Sequence, residues 1–449
     1  MIDVPDRTGR VTARLCGRTA LAGLFLLVSA PLLSAQQVNT LLTLDAAIIY
    51  ARQNSPRLSA ARQGVTSEQA SVSAERAERL PRLRLGAAAR GSSQPTQTAM
   101  GFPLTQLASI PENQPFRRGH LNAEVRATMP IYTGGRISSA VSLGEARRDL
   151  AKITVRDIER ELDFDVTRTY ANLVQLDRDV EAARESVNAL VESRRVVAQM
   201  LDEGKVARVD LLKVNTRLAD VQDTAIEFRN AREIEAGQLN ALLGRPVDTP
   251  VVVETVLPPP SVQQSLDQVS QLARAGNLKY QLAEAEVNVA ERSVTVAKSA
   301  QRPSLSLVGN LLGQSGDPFT VYKGGVMAGV VFTFPFFDRT LTYRVVEAKS
   351  RELERRADLK QVDLDAAQRA RSAYLQVQNA QERIRATETA IGYAREALRI
   401  EQEKQRYGRG IIENLLDAQA ALFTSEAKYY RALADYMTAT AAVRRETGI

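Results

Sequence analysis

The chain has no tryptophan, one histidine and one cysteine among 449 residues, and aromatics make up only 5%. The shortage of large rings argues against an ordinary thick globular core, where such side chains carry much of the burial. One histidine and one cysteine are too few donors for the common zinc sites, a histidine-dependent triad or a disulfide. No G-x-x-x-x-G-K-[ST] loop occurs, so nucleotide hydrolysis by that route is not expected. No catalytic constellation, metal site or cofactor is therefore expected, and the chain does not read as an enzyme. Proline is missing from residues 131–245 and again from 336–449, so neither stretch contains the residue that most strongly breaks a helix.

Long apolar runs are also scarce. The one run of note, from Ala20 to Leu33, has about 14 residues, short for a membrane-spanning helix. Arg7, Arg10, Arg14 and Arg18 precede it and Ser34-Ala35-Gln36 follows, the layout of an export signal cleaved after Ala35. An uncleaved anchor is the alternative. Cys16 lies ahead of the apolar run, so it is not placed to carry a lipid, and the mature chain would contain no thiol. Removal of residues 1–35 lowers the net charge from +7 to +5. That mild excess gives no case for nucleic acid binding.

What the chain has is a duplication. Leu44-Asp45 recurs as Leu266-Asp267, Ala51-Arg52 as Ala273-Arg274, and Pro81-x-Leu83-x-Leu85 as Pro303-x-Leu305-x-Leu307, all 222 residues apart. Further along, Tyr170 matches Tyr374, Gly204 matches Gly408, Leu211-Leu212 matches Leu415-Leu416, and Gly244 matches Gly448, now 204 residues apart. Repeat 1 covers 42–245 and repeat 2 covers 262–449, joined by a proline-rich linker at 246–261. A unit of about 200 residues is too long for a solenoid repeat.

Each half opens with a helical stretch, 43–80 in the first, broken at Asn54-Ser55-Pro56 and ended by Pro81. Strict alternation follows. Leu121, Ala123, Val125, Ala127, Met129 and Ile131 share one face, and Asn122, Glu124, Arg126 and Thr128 the other. That run of about 11 residues is the length of one tilted bilayer-crossing strand. Strands are expected at 83–91, 121–131, 305–311 and 326–334, with a long polar loop at 91–119 and a shorter one at 313–320. The proline-free stretches then read as long helices. One runs from 136 to 203, about 100 Å if continuous, stops at Gly204 and is followed by a helix over 210–243. The second half matches, with a stop at Gly408-Arg409-Gly410 and a helix over 414–447.

The expected fold is mainly α with a small β part: two pseudo-repeats of helix, β-hairpin, very long helix, turn and helix. Four strands cannot close a membrane barrel, for which about eight is the practical minimum. Three chains would supply twelve, forming an outer-membrane β-barrel on a long periplasmic α-helical barrel. Tyr132, Phe334, Phe336 and Phe337 at one end of the strands, and Phe102, Phe116, Phe319 and Tyr322 at the other, are placed as two interfacial girdles. Glu124 and Arg126 should face the barrel lumen, because Val125 and Ala127 face lipid. An exported coiled-coil rod is the reading of another class, but a rod has no use for the strands. His120, at a loop–strand junction, reads as an ordinary surface residue.

From about Leu42 to Gly448 the chain resembles the TolC, or outer-membrane efflux protein, family. The most specific stretch is Tyr407-Gly-Arg-Gly-Ile-Ile-Glu-Asn-Leu-Leu-Asp-Ala-Gln419, followed by Tyr429 and Tyr436, with Gly204-Lys-Val-Ala-Arg-Val-Asp210-Leu-Leu as its counterpart. The resemblance implies a homotrimeric passive exit duct, set in outer-membrane lipid and coupled through a periplasmic adaptor to an inner-membrane pump. Small-molecule efflux, of drugs, toxic compounds or metals, is the expected use, and type I protein secretion the alternative. Asn414 departs from the family pattern, in which an acid is common, so a fully acidic ring at the periplasmic mouth is in doubt.

Asp417 lies one helical turn from a tip turn, and its repeat counterpart is Lys213, so charges could alternate around the aperture and pair between subunits. A gating contact and a solvated helix face both remain open for it. Asp210 and Asn414 are expected as N-caps, with a pore-facing role second. Gly204, Lys205, Arg208, Gly408, Arg409 and Gly410 make the tip turns. Lys205 and Arg406 would complement helix dipoles, and adaptor contact is the sharper reading that the resemblance suggests for these turns.

Overall fold

The computed structural model describes residues 41–96, 117–254, 265–316, 320–407 and 409–448. The expected leader, Phe102, Phe116, Phe319, Gly408 and residues 255–261 of the expected linker lie outside them.

The element order is α1 (Leu44–Asn54), α2 (Pro56–Ala77), β1 (Arg82–Thr96), β2 (Arg117–Tyr132), α3 (Arg136–Asp202), α4 (Arg208–Leu243), and then the same series again. The second series is α5 (Leu266–Gly276), α6 (Leu278–Ser299), β3 (Ser304–Gly316), β4 (Thr320–Thr333), α7 (Arg339–Arg406) and α8 (Ile412–Thr447). The duplication read from spacing is thus a duplication of structure, with α3 and α7 at 67 and 68 residues.

Local chemistry sets the boundaries. Thr43 caps α1, its hydroxyl accepting from the Ala46 N–H at 3.3 Å. Pro56 holds Ser55 in an extended conformation and opens α2 at its first turn, as a proline at that station does. Repeat 2 makes the same break without proline: the Asn277 side chain accepts from the Tyr280 N–H at 3.0 Å and caps α6. Ser265 and Gln268 form a reciprocal capping box on α5.

The strands form one antiparallel sheet in the order β1-β2-β3-β4, so the two hairpins join through β2 and β3. They run further than expected. β1 continues to Thr96, β2 begins at Arg117, and β3 and β4 leave only residues 317–319 between them. The expected polar loops at 91–119 and 313–320 are in part strand, because backbone ladder bonds do not require the apolar alternation that marked the strand cores.

Several apolar clusters hold the helices together among the described residues. One joins Ala47, Ala51 and Leu58 to Leu162, Val166, Leu173, Leu239 and Leu243. Its repeat partner is built with smaller side chains: Val269 and Ala273 against Ala370, Ala373, Val377 and Ala380, which lets those helices approach closely. The third lies toward the helical tips and is described below. The stretch after α4 returns to the start of the chain, where Leu42 bridges Val253 in parallel. The Tyr170 hydroxyl closes this junction, donating to the Leu42 carbonyl at 2.9 Å and accepting from the Glu254 N–H at 3.1 Å.

Candidate channel elements

The sheet register sorts side chains onto two faces, because residues directly opposite across strands share a face. Leu85, Val125, Leu311 and Val326 lie in one row across all four strands. Neighbouring rows on that face are Leu83-Ala127-Gly309-Ala328 and Met129-Leu307-Val330. The face is apolar and bare: Leu85 is 79% exposed, Val326 81% and Phe332 66%. Such a continuous apolar surface on a protein marks an interface with lipid or another chain.

The other face carries the polar groups. Arg84, Arg126 and Asn310 share a row, and Glu124 lies in the next. Arg126 donates to the Glu124 carboxylate at 3.3 Å and to the Asn310 side-chain Oδ1 at 3.3 Å. Glu124 and Arg126 therefore stand together, opposite to Val125 and Ala127. β1 and β4 are edge strands, each with one row of unpaired backbone groups available to a further strand. Tyr132, Phe334, Phe336 and Phe337 are all exposed where strands meet helices.

At the far end of the helices, Gly204 takes φ +70° and ends α3 in a Schellman turn. The Lys205 N–H reaches the Met200 carbonyl at 2.8 Å and the Gly204 N–H reaches Leu201 at 2.9 Å. The second tip has the matching long bond from the Arg409 N–H to the Lys404 carbonyl at 2.9 Å. Gly410 lies so close to the end of α7 that a Cβ there would meet the Gln405 nitrogen at 2.8 Å.

Asp210 and Asn414 are not N-caps. The cap stations fall three residues earlier, at Ala207 and Ile411, where the backbone is extended. Asp210 instead reaches back, its carboxylate accepting from the Ala207 N–H at 3.1 Å, half of a capping box to which alanine cannot reciprocate. Asn414 occupies the same third position of α8 and is exposed. Lys205 pairs with Glu203 at 2.6 Å. Arg208 and Arg409 stand exposed on the turns.

Beneath the tips, Ile412 and Leu416 of α8 insert among Leu190, Val197, Val214 and Leu218 of α3 and α4. The two hairpin tips are thereby joined within one chain. Lys213 bonds Glu413 of α8 at 2.8 Å. That hydrogen bond first, and then the charges of Glu413, Asp210 and Asp417, hold the Lys213 ammonium above its usual range. The same bond holds the Glu413 carboxyl below the ordinary glutamate range. Asp417 belongs to this cluster, but the direct partner of Lys213 within the chain is Glu413, which the sequence reading missed. Its spacing four residues before Asp417, on the same helix face, was the available signal.

A sheet with one bare apolar face, open edges and a polar reverse, carried on two long helical hairpins, is the build of a membrane channel subunit. The chain belongs to the outer membrane efflux protein family, whose model matches residues 47–245 and 269–448, one match per repeat. It is accordingly an outer-membrane protein. It is 24% identical over 317 residues to the alkaline protease secretion protein AprF of Pseudomonas aeruginosa, covering 68% of this chain and 65% of that protein. It is 22% identical over 244 residues to the cobalt-zinc-cadmium resistance protein CzcC of Cupriavidus metallidurans, covering 53% of this chain and 55% of that one. The matched stretches thus span about two thirds and about half of these relatives. The fold is similar to that of the Campylobacter jejuni CmeC outer membrane channel, with a TM-score of 0.78 at 17% identity over 90% of this chain and 85% of that one.

Proposed function

We propose that three copies of this chain pool their sheets into a twelve-stranded barrel and serve as a passive exit duct through the outer membrane. The observation that carries this reading is the four-strand apolar row Leu85-Val125-Leu311-Val326, bare in the single chain, on a sheet whose two edges are both open. Lipid covers the face, and strands of other copies cover the edges. Glu124 and Arg126 then line a hydrated lumen.

The duct has no machinery of its own to drive transport. Its partners are a periplasmic adaptor and an inner-membrane pump, engaged at the tip turns through Lys205, Arg208, Arg409 and the glycines that shape the turns. Asp210, Lys213, Asn414 and Asp417, joined by Glu413, are the residues that would close a periplasmic aperture on this reading. Membership of an efflux family supports small-molecule cargo, and likeness to a metal-resistance protein supports the same side. A second reading, a protein secretion duct, is favoured by likeness to a protease secretion protein.

Fractionation tests the duct against an exported rod. A duct requires detergent for release and is cross-linked by an amine reagent into a trimer. Release by salt as a soluble monomer overturns the reading.

A further inference from the structure

The two hairpins of the sheet agree on one face and differ on the other. On the bare apolar face, Leu83 and Leu85 of β1 recur as Leu305 and Leu307 of β3. On the reverse face, β1 and β2 present Arg82, Arg84, Glu124 and Arg126. The same rows continue onto β3 and β4 as Val308, Asn310, Leu312 and Met327, with glycines between and no charge among them. One half of the reverse face is thus basic and the other largely apolar.

The basic half is not neutralised within the chain. Arg84 and Arg126 are direct cross-strand partners. Like charges so placed stand about 5 Å apart at Cβ and destabilise a sheet. Glu124 answers Arg126 at 3.3 Å, while Arg84 is exposed and has no acid partner among the described residues. Arg82 shares Glu78 with Arg136, at 2.9 and 3.0 Å, so there too one acid answers two bases. An oxyanion held between the Arg84 and Arg126 guanidiniums would relieve the repulsion. Each guanidinium offers a planar fork of donors that matches the oxygens of such a group.

The apolar half stands beside it in the same row. Met327 is 48% exposed, and Gly325 and Gly329 on either side of it leave open space where side chains would stand. Val331, further along the same face of β4, is 49% exposed. Only Asn310 separates Arg126 from Met327 across the row, two strand spacings or about 10 Å. An alkyl tail whose head rests on the arginines reaches that far.

We propose that this face selects amphiphilic anions as cargo, molecules with a carboxylate, sulfonate or phosphate head and an apolar tail. Arg84 and Arg126 take the head, and Met327 and Val331 take the tail. Arg82, nearer the helices, extends the basic track along β1. This selectivity depends on the duct reading, which turns the face toward the lumen, and adds to it the chemical class of the cargo.

The test uses the full chain in planar lipid bilayers, with conductance block by three probes: octanesulfonate, butanesulfonate and octyltrimethylammonium. Octanesulfonate should half-block at the lowest concentration, butanesulfonate at a higher one and the cation at the highest. Arg84→Gln should raise the half-blocking concentration of both sulfonates about fivefold, the worth of one close charge contact in water. Arg84→Lys, which keeps the charge, should restore most of the block. Met327→Ser should weaken octanesulfonate and leave butanesulfonate unchanged. Reversal potential in a potassium chloride gradient is the second measurement, and Arg84→Gln should move it toward cation preference. Conducting channels that the cation blocks as well as octanesulfonate does overturn the selectivity and leave the duct reading standing. So does octanesulfonate block no stronger than that of butanesulfonate, or block and reversal potential both unmoved by Arg84→Gln. Wild-type protein that forms no conducting unit overturns the duct reading and the selectivity together.

Discussion

The Asn277 amide donates to the Glu446 carboxylate at 3.0 Å, with both side chains buried. This one bond ties the α5–α6 break to the last turn of α8, residues far apart in sequence. Arg445 bonds the other oxygen of Glu446 at 3.2 Å, and Arg369 approaches at 3.5 Å. Glu446→Ala would leave Asn277 without its acceptor and Arg445 with less neutralisation. A buried hydrogen bond to a charged group contributes about 1.5–3 kcal/mol, so a melting temperature lowered by several degrees is expected. Glu446→Gln, which keeps an acceptor, should lose less. Thermal denaturation followed by circular dichroism measures both.

Tyr170 provides the matching tie in repeat 1. Tyr170→Phe removes a hydroxyl that both donates to Leu42 and accepts from Glu254, at a cost of about 1–2 kcal/mol. Burial pushes its phenol up to about 12. The folded state therefore favours the neutral form, and the stabilisation is fully present below the unfolded value of about 10. It is lost as pH rises through the folded value. The stability gap between wild type and Tyr170→Phe should be constant below about pH 10 and shrink above it. A gap that widens with alkali would contradict the assignment.

Gly204 and Gly410 should respond differently to alanine. Gly204 has a positive φ but open space around its missing Cβ, so Gly204→Ala should cost only about 1 kcal/mol of backbone strain. At Gly410 the added carbon meets backbone of Gln405, which cannot swing away as a flexible side chain would. Gly410→Ala should therefore displace the α7–α8 turn and weaken adaptor capture in a pull-down, whereas Gly204→Ala should leave capture near wild type.

The tip charge cluster should behave as a latch over a defined pH range. The Glu413 carboxyl is held low, so its contribution is present above about 4.5 and lost as pH falls through the folded value. The Lys213 ammonium is held high, so its contribution is present below about 10 and lost as pH rises through its folded value. Resting single-channel conductance should be flat between those limits. Lys213→Ala should raise it, because removing the base leaves Asp210, Glu413 and Asp417 to repel one another. Asp417→Ala should raise it less, since Asp417 is not the direct partner of Lys213. Conductance unchanged in both variants would reduce the cluster to solvated helix surface.

Most of the architecture was legible because the chain states it twice. Period-two alternation at 121–131 located the sheet faces, and the absence of proline located the long helices to within a few residues. The features that escaped detection depend on tertiary contact. Strand ends at Thr96 and Arg117 continue by backbone pairing through residues with no apolar pattern. Ala207 and Ile411 hold N-cap stations because the tip turns set their backbone, although neither side chain can cap. Glu413 looked like one acid among many until α8 was packed against α4. The Asn277–Glu446 bond joins residues whose separation no local pattern spans.

The exposed apolar row gives a sharp contrast between neighbours in sequence. Val125→Arg places a charge on the apolar face, which costs about 2–4 kcal/mol near the middle of a bilayer, and should lower the assembled fraction. Glu124→Gln, on the reverse face, should assemble normally and, on the proposed lumen placement, shift the channel toward anions by removing a carboxylate. Assembly assayed by amine cross-linking, and reversal potential in a salt gradient, separate the two effects.

The most direct measurement is single-channel recording of the purified full chain in planar lipid bilayers. Discrete conductance steps, made rarer by Val125→Arg and altered in ion selectivity by Glu124→Gln, are the predicted result. Wild-type protein that inserts no conducting unit, and runs as a monomer without detergent, would contradict the account.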